Sequence, residues 1–205
     1  MIKDQFNLYK SSWINSSKIG FSVDENFNAI PWYSFEAIEF LKKHLKPEHY
    51  VFEFGSGSST IFYNNNCLKV VAIESNRTWF DIICQKIPNK INSNNKHFIS
   101  KNSEIFLLED AIDNVDYENF ANNYSIMNNI KFDFIVIDSL KRHLCTLQSL
   151  DSLKSGGYLI LDDSERSNYQ KTIDFLEKNN FEHIVFSGIA PAQLKIKNTS
   201  FFLKN

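Results

Sequence analysis

Cysteine is scarce in this chain of 205 residues, with only Cys67, Cys84 and Cys145. They form no CxxC pair and no metal-ligand spacing. An odd, scattered set excludes a disulfide framework and points to a reducing compartment, which we take to be the cytoplasm. Long apolar runs are missing as well. Met1 to Lys10 is polar and lacks the apolar centre of a secretion signal. No stretch approaches the roughly 20 apolar residues that cross a bilayer. Asn-X-Ser/Thr triplets such as Asn76-Arg77-Thr78 therefore carry no expectation of glycosylation. Runs of positive charge are absent too: 22 Lys and Arg face 24 Asp and Glu, for a formal net charge of -2. A duplex nucleic-acid binder needs a basic footprint to displace counterions, so the expected partner is a small molecule or a glycan-linked acceptor and not nucleic acid. No repeat, linker or low-complexity tract divides the chain. The expectation is one domain over 1–205, with 1–47 as an N-terminal extension and helix and 48–205 as a cofactor-binding core.

What is present is apolar and aromatic. Hydrophobic residues make up 43% and aromatics 15%, with 19 Phe. This composition predicts a Phe-rich core, with some aromatic side chains left for a cleft. Short apolar runs alternate with helical patterns. Strands are predicted at Tyr50–Phe54, Lys69–Ile73, His97–Ile99, Phe132–Ile137, Gly157–Leu161, His183–Phe186 and Ser200–Leu203. Helices are predicted at Ser34–Leu45, Thr78–Ile87, Leu140–Leu153 and Asn168–Lys178. Continuous rather than alternating apolar strands imply a sheet covered on both faces. Strand–helix alternation implies parallel strands with right-handed crossovers. The fold class is therefore α/β, a three-layer Rossmann-like sandwich. The connection from about Ser100 to Lys131 is long, and its acidic, Asn-rich part at 109–129 predicts a lid or substrate loop. Residues 187–199 leave no room for a crossover helix, so the last strand is predicted antiparallel, as a hairpin with the sixth.

Three motifs carry chemistry. Phe52-Glu53-Phe54-Gly55-Ser56-Gly57-Ser58-Ser59-Thr60 follows the first strand directly. Its glycines allow a sharp turn and close approach to a ligand, and the helix beyond offers free N–H groups. Val71-Ala72-Ile73-Glu74-Ser75-Asn76 closes the second strand with an acid about 20 residues after the Gly loop, the place from which a carboxylate accepts ribose hydroxyls. A dinucleotide dehydrogenase would use both features. It would also want a third glycine, where this chain has Thr60, and Glu53 would repel a pyrophosphate. The same carboxylate suits a cationic amino-acid ligand. The third motif is Asp138 with Asp162 and Asp163, at the ends of adjacent strands and hence at one cleft edge. Three acids there need a cation or a shared proton, and a hard ion such as Mg²⁺ is one solution. Arg142 and Arg166 are another. Lys141 and His143 follow Asp138 closely and are candidate bases.

These pieces resemble the class I S-adenosylmethionine-dependent methyltransferases. The likeness rests on Glu53-Phe54-Gly55-Ser56-Gly57, the strand-ending Glu74, Phe132–Asp138 and Leu153–Leu161, and it runs from about Tyr50 to Phe202. It implies a seven-stranded sheet in the order 3-2-1-4-5-7-6, and S-adenosylmethionine as cofactor. Glu53 and Gly55 would hold its methionine end and Glu74 its ribose, with Ser56, Gly57, Ser75 and Asp138 also expected at the cofactor. Asn102 and Ser103 are the candidates for adenine. Asp138, Lys141 and Asp162 also match the metal-dependent catechol-type O-methyltransferases, whereas Asp163 stands where that group has Asn. The Ile30-Pro31-Trp32-Tyr33 segment, with Trp13, is expected to cap the cleft or to pack on the core. With the Gly loop and the Asp162-Asp163 run, it also resembles a bacterial methyltransferase group with some members encoded among surface-polysaccharide genes. The reading is methyl transfer to oxygen on a small or glycan-linked acceptor. An NAD(P)-dependent dehydrogenase and a non-catalytic S-adenosylmethionine-binding protein are the alternatives.

Overall fold

The computed structural model describes residues 2–110 and 115–205. In chain order the elements are α1 (Ile2–Ile19), α2 (Phe35–His44), β1 (Tyr50–Phe54), α3 (Ser58–Asn66), β2 (Lys69–Glu74), α4 (Arg77–Lys86), β3 (Lys90–Ser93), β4 (His97–Ser100) and β5 (Ser103–Leu107). They continue with α5 (Val115–Asn128), β6 (Phe132–Ile137), α6 (Arg142–Ser149), β7 (Leu153–Asp162), α7 (Gln170–Lys178), β8 (Glu182–Ala190) and β9 (Gln193–Leu203). The strands form one sheet in the order β3-β4-β5-β2-β1-β6-β7-β9-β8. β5, β2, β1, β6 and β7 run parallel, and β9 is antiparallel to both its neighbours.

Among the described residues the sheet has nine strands where seven were expected. The run His97–Ile99, expected as the third strand beside β2, is β4 and lies one place further out in the sheet, antiparallel to β5. β5 holds the place beside β2, with Val70 opposite Ser103 and Glu74 opposite Leu107. It was hidden because Ser103 and Glu104 interrupt its apolar pattern. Glu104 accepts from Tyr124 and pairs with His97. β3 is polar and largely exposed, so no hydrophobic signal marks it. The β8–β9 hairpin is also longer than expected. Residues 187–199, read as a loop, continue both strands to a turn in which Ala192 takes φ 58°.

The alternation along β1 decides what each sheet face carries. Phe52 and Phe54 point to one face, where they pack with Phe132, Ile135 and Ile137 under α5, α6 and α7. Val51 points to the other, with Val70, Phe134 and Phe201 beneath α2 and α3. Burying each such Phe stabilises the fold by roughly 1.5–3 kcal/mol. α5 falls in the segment expected to be a lid. It is a core helix instead, with Tyr117 and Ala121 fully buried; residues 111–114 of that segment lie outside the described residues. α1 lies in the N-terminal helical extension expected over 1–47. It carries Trp13, which packs edge-on to Phe6 and onto the second core face rather than into a cleft. Among the described residues, no helix is long and apolar enough to cross a membrane.

Candidate cofactor cleft and acidic site

The carboxyl ends of β1, β2, β6 and β7 open on one edge of the sheet, the usual place for ligands in open α/β folds. Gly55 leaves β1 with φ +97°. A Cβ there would lie 2.8 Å from the Asp138 carbonyl oxygen, so both its backbone angle and its packing demand glycine. Gly57 differs from the expectation. Its φ of -173° is extended, and a Cβ would meet nothing nearer than 3.6 Å. It precedes α3, and its N–H donates to Thr60 Oγ1 at 2.9 Å. Thr60, at the place of a third glycine, is fully buried and serves this turn.

Glu74 ends β2 and is 6% exposed. One of its carboxylate oxygens accepts from the backbone N–H and the hydroxyl of Ser56, both at 2.9 Å. The other accepts from the N–H groups of Ser75 and Asn76, both at 2.8 Å. Glu74 therefore ties the Gly loop to the start of α4. Ser56 also holds Trp79, whose indole N–H donates to its carbonyl.

Glu53 lies on the opposite side of β1 from Phe52 and Phe54, and is 1% exposed. Among the described residues, one of its oxygens is buried with no partner. Burial pushes the Glu53 carboxyl up to about 8, against the pull of the Thr60 and Ser59 hydroxyls. A buried acceptor without a partner is costly. A cationic ligand group would satisfy it.

Between these two acids lies a cavity of about 390 Å³, bordered by Trp32, Glu53, Ser56, Glu74, Trp79 and Asp138. That is within the size range of small-molecule sites. Trp32 and Asp138 also border a second cavity of about 580 Å³, reaching Asp162, Asp163, Arg166, Gln193 and Lys197. The Trp32 indole is held in place by donating to the Pro191 carbonyl at 2.6 Å.

Asp138, Asp162 and Asp163 converge, with carboxylate oxygens within 4.8 Å of one another. Their charge is met from within the chain. The Lys197 ammonium touches Asp162 at 2.5 Å and Asp163 at 2.8 Å. Its third hydrogen bond, 3.1 Å, goes to the Trp32 carbonyl. Thr199 donates to the other Asp162 oxygen at 2.8 Å. Arg142 binds Asp138 at 2.8 Å, and Arg166 pairs with Asp163. Burial raises Asp162, against Lys197. Burial also raises Asp163, but the Lys197 hydrogen bond and the charges of Lys197, Arg166 and Arg142 outweigh it and hold Asp163 low. Asp138 has its side chain 37% exposed at the cleft floor. Desolvation by the surrounding protein and the Asp162 carboxylate push it up to about 7, while Arg142 and Lys197 pull it down. A divalent ion does not fit these residues, because an ammonium already stands between two of the three carboxylates.

The cleft thus brings together Glu53, Gly55, Ser56, Gly57, Glu74, Ser75 and Asp138, with Asp162 and Asp163 beside it. Four expected residues lie elsewhere. α6 begins at Arg142, and its turn of about 100° per residue aims only that side chain at the cleft. Lys141 binds Glu118 of α5 at 3.0 Å. His143 faces α7 and meets the Thr172 hydroxyl at 3.0 Å. Asn102 and Ser103 sit at the amino end of β5, the far edge of the sheet. There Asn102 donates to the Cys67 carbonyl and Ser103 pairs with Ser100. Lys197 went unread because its segment looked like a loop. With Asp162 opposite Thr199 in the β7–β9 register, the residue two positions earlier falls on the same face.

No family model and no curated protein sequence matches this chain. Solved structures do. An O-methyltransferase from Bacillus cereus, in complex with SAH, superposes at a TM-score of 0.66 with 15% identity, covering 100% of both chains. TomG, a Streptomyces achromogenes O-methyltransferase of tomaymycin synthesis in complex with SAM, gives 0.58 and 11%, over 80% of this chain and 77% of that one. An rRNA methylase from Streptococcus thermophilus gives 0.52 and 18%, over 82% and 92%. The chain therefore has the α/β fold of the S-adenosylmethionine-dependent methyltransferases.

Proposed function

We propose that this chain is an S-adenosylmethionine-dependent methyltransferase acting on an oxygen of a small-molecule or glycan-linked acceptor. The observation that carries the reading is the unpartnered oxygen of Glu53, which lines the same cavity as Glu74. A ligand with an ammonium at one end and a ribose at the other suits both acids. A dinucleotide would set a pyrophosphate against Glu53.

S-adenosylmethionine bound there supplies a methyl group activated by a sulfonium. The chain has to align donor and acceptor and accept one proton. Gly55 leaves room for the ligand backbone, and Glu74 receives ribose hydroxyls when the Ser56 hydroxyl gives way. Asp138 borders both cavities and has one oxygen bound to Arg142. Its free oxygen takes the acceptor hydroxyl proton as the carbon–oxygen bond forms and the carbon–sulfur bond breaks. Trp32 lines the second cavity together with Gln193 and Arg166. That mix of apolar surface and hydrogen-bonding groups suits a polyhydroxy acceptor. Calorimetric titration tests the reading: S-adenosylhomocysteine should bind and NAD should not. NAD binding without a response to S-adenosylhomocysteine would overturn it.

A further inference from the structure

We propose that the Lys197 ammonium is a built-in replacement for a divalent cation, making the acidic site independent of metal. The site has the makings of an ion centre: three carboxylates, from the ends of β6 and β7, with oxygens within 4.8 Å of one another. Oxygens bound to one ion at roughly 2.3–2.6 Å stand no farther apart than about twice that distance. The space they would share is taken. Lys197 is 6% exposed and directs its three N–H bonds at Asp162, Asp163 and the Trp32 carbonyl, at 2.5, 2.8 and 3.1 Å. No donor is left over, so Lys197 is a positioning residue and not a catalytic one. It fixes Asp162 and Asp163, and through the Trp32 carbonyl it fixes the wall between the two cavities.

A fixed ammonium differs from an ion in a way that can be measured. It carries one positive charge rather than two, and it cannot be removed by a chelator. Truncating it should leave three converging carboxylates and a vacancy of about ionic size. The proposal concerns this cluster alone and stands whether or not the chain transfers methyl groups.

The experiment is a titration with Mn²⁺, read by electron paramagnetic resonance and by the melting temperature. The full chain should be compared as wild type, Lys197→Ala and Lys197→Met, the last of which keeps the apolar stem. Wild type should show no Mn²⁺ site and no change in melting temperature with Mn²⁺ or chelator. Either variant should gain one site, in the roughly 10⁻⁴–10⁻³ M range of modest oxygen-ligand sites. Its melting temperature should rise on adding Mn²⁺, and a further Asp162→Asn substitution should abolish both effects. A wild-type Mn²⁺ site lost on Asp162→Asn would overturn the proposal, even if neither Lys197 variant folds. So would a folded Lys197 variant that gains no site.

Discussion

Ser56 and Glu74 are joined twice, with the backbone N–H and the hydroxyl of Ser56 both donating to the same carboxylate oxygen at 2.9 Å. With Ser75 and Asn76 on the other oxygen, all four acceptor positions of the carboxylate are used. Glu74 is therefore both a loop clamp and a ribose acceptor held in reserve. Glu74→Ala should lower stability by about 1–3 kcal/mol, since buried donors lose their partner, and should weaken S-adenosylhomocysteine binding at least about tenfold. Ser56→Ala removes only the hydroxyl that competes with ribose and should leave affinity unchanged or improved. Thermal melts and calorimetry on both variants check this. Full affinity in Glu74→Ala would reduce Glu74 to a turn residue.

Gly55 and Gly57 should respond unequally to alanine. Gly55→Ala forces a Cβ to 2.8 Å from a backbone oxygen at positive φ. It should cost more than about 2 kcal/mol. Gly57→Ala, in extended backbone where a Cβ would make only ordinary contacts at 3.6 Å and beyond, should stay within about 1 kcal/mol of wild type. Denaturant midpoints for the two variants distinguish them. Equal losses would contradict the loop geometry.

Glu53 sets a pH dependence whose sign follows from its raised value of about 8. Between its ordinary carboxyl range and pH 8, the folded chain holds a proton that the unfolded chain has lost. Stability therefore falls as pH rises through that window and levels off above it. Without ligand, Glu53→Gln should match wild type near pH 4 and exceed it at pH 9 in melting temperature. A ligand ammonium beside Glu53 favours the ionised form, so binding S-adenosylhomocysteine at pH 7 should release a proton. Titrations in buffers of different ionisation enthalpy would register that release in wild type and not in Glu53→Gln. A binding enthalpy independent of buffer would place the ammonium elsewhere.

Asp138→Asn should remove turnover while leaving S-adenosylhomocysteine affinity within about threefold of wild type, because the substitution keeps the shape but not the proton acceptor. With Asp138 raised to about 7, wild-type rates should fall as pH drops below that value. Lys141→Ala and His143→Ala should keep their rates, since both side chains are engaged on neighbouring helices. Loss of turnover in either of them, with Asp138→Asn active, would reassign the base.

The sequence was most legible where strands are apolar on both faces. Val51 to Phe54, Val70 to Ile73 and Phe134 to Ile137 read directly, and so did the acids that end them. What stayed hidden depends on long-range pairing. Ser103-Glu104 reads as polar because the His97 and Tyr124 partners of Glu104 lie on other elements. Lys197 reads as a loop lysine until the β9 register sets it over Asp162. Lys141 and His143 looked catalytic by adjacency to Asp138, yet one helical turn sends neighbouring side chains in different directions.

The measurement that bears most directly on this account is a crystal structure of the chain with S-adenosylhomocysteine. The account predicts an amino group on the free oxygen of Glu53, ribose hydroxyls on Glu74 in place of the Ser56 hydroxyl, and the sulfur facing Asp138. A ligand lying outside the cleft between Glu53 and Glu74, or one leaving the Glu53 oxygen unpartnered, would contradict it.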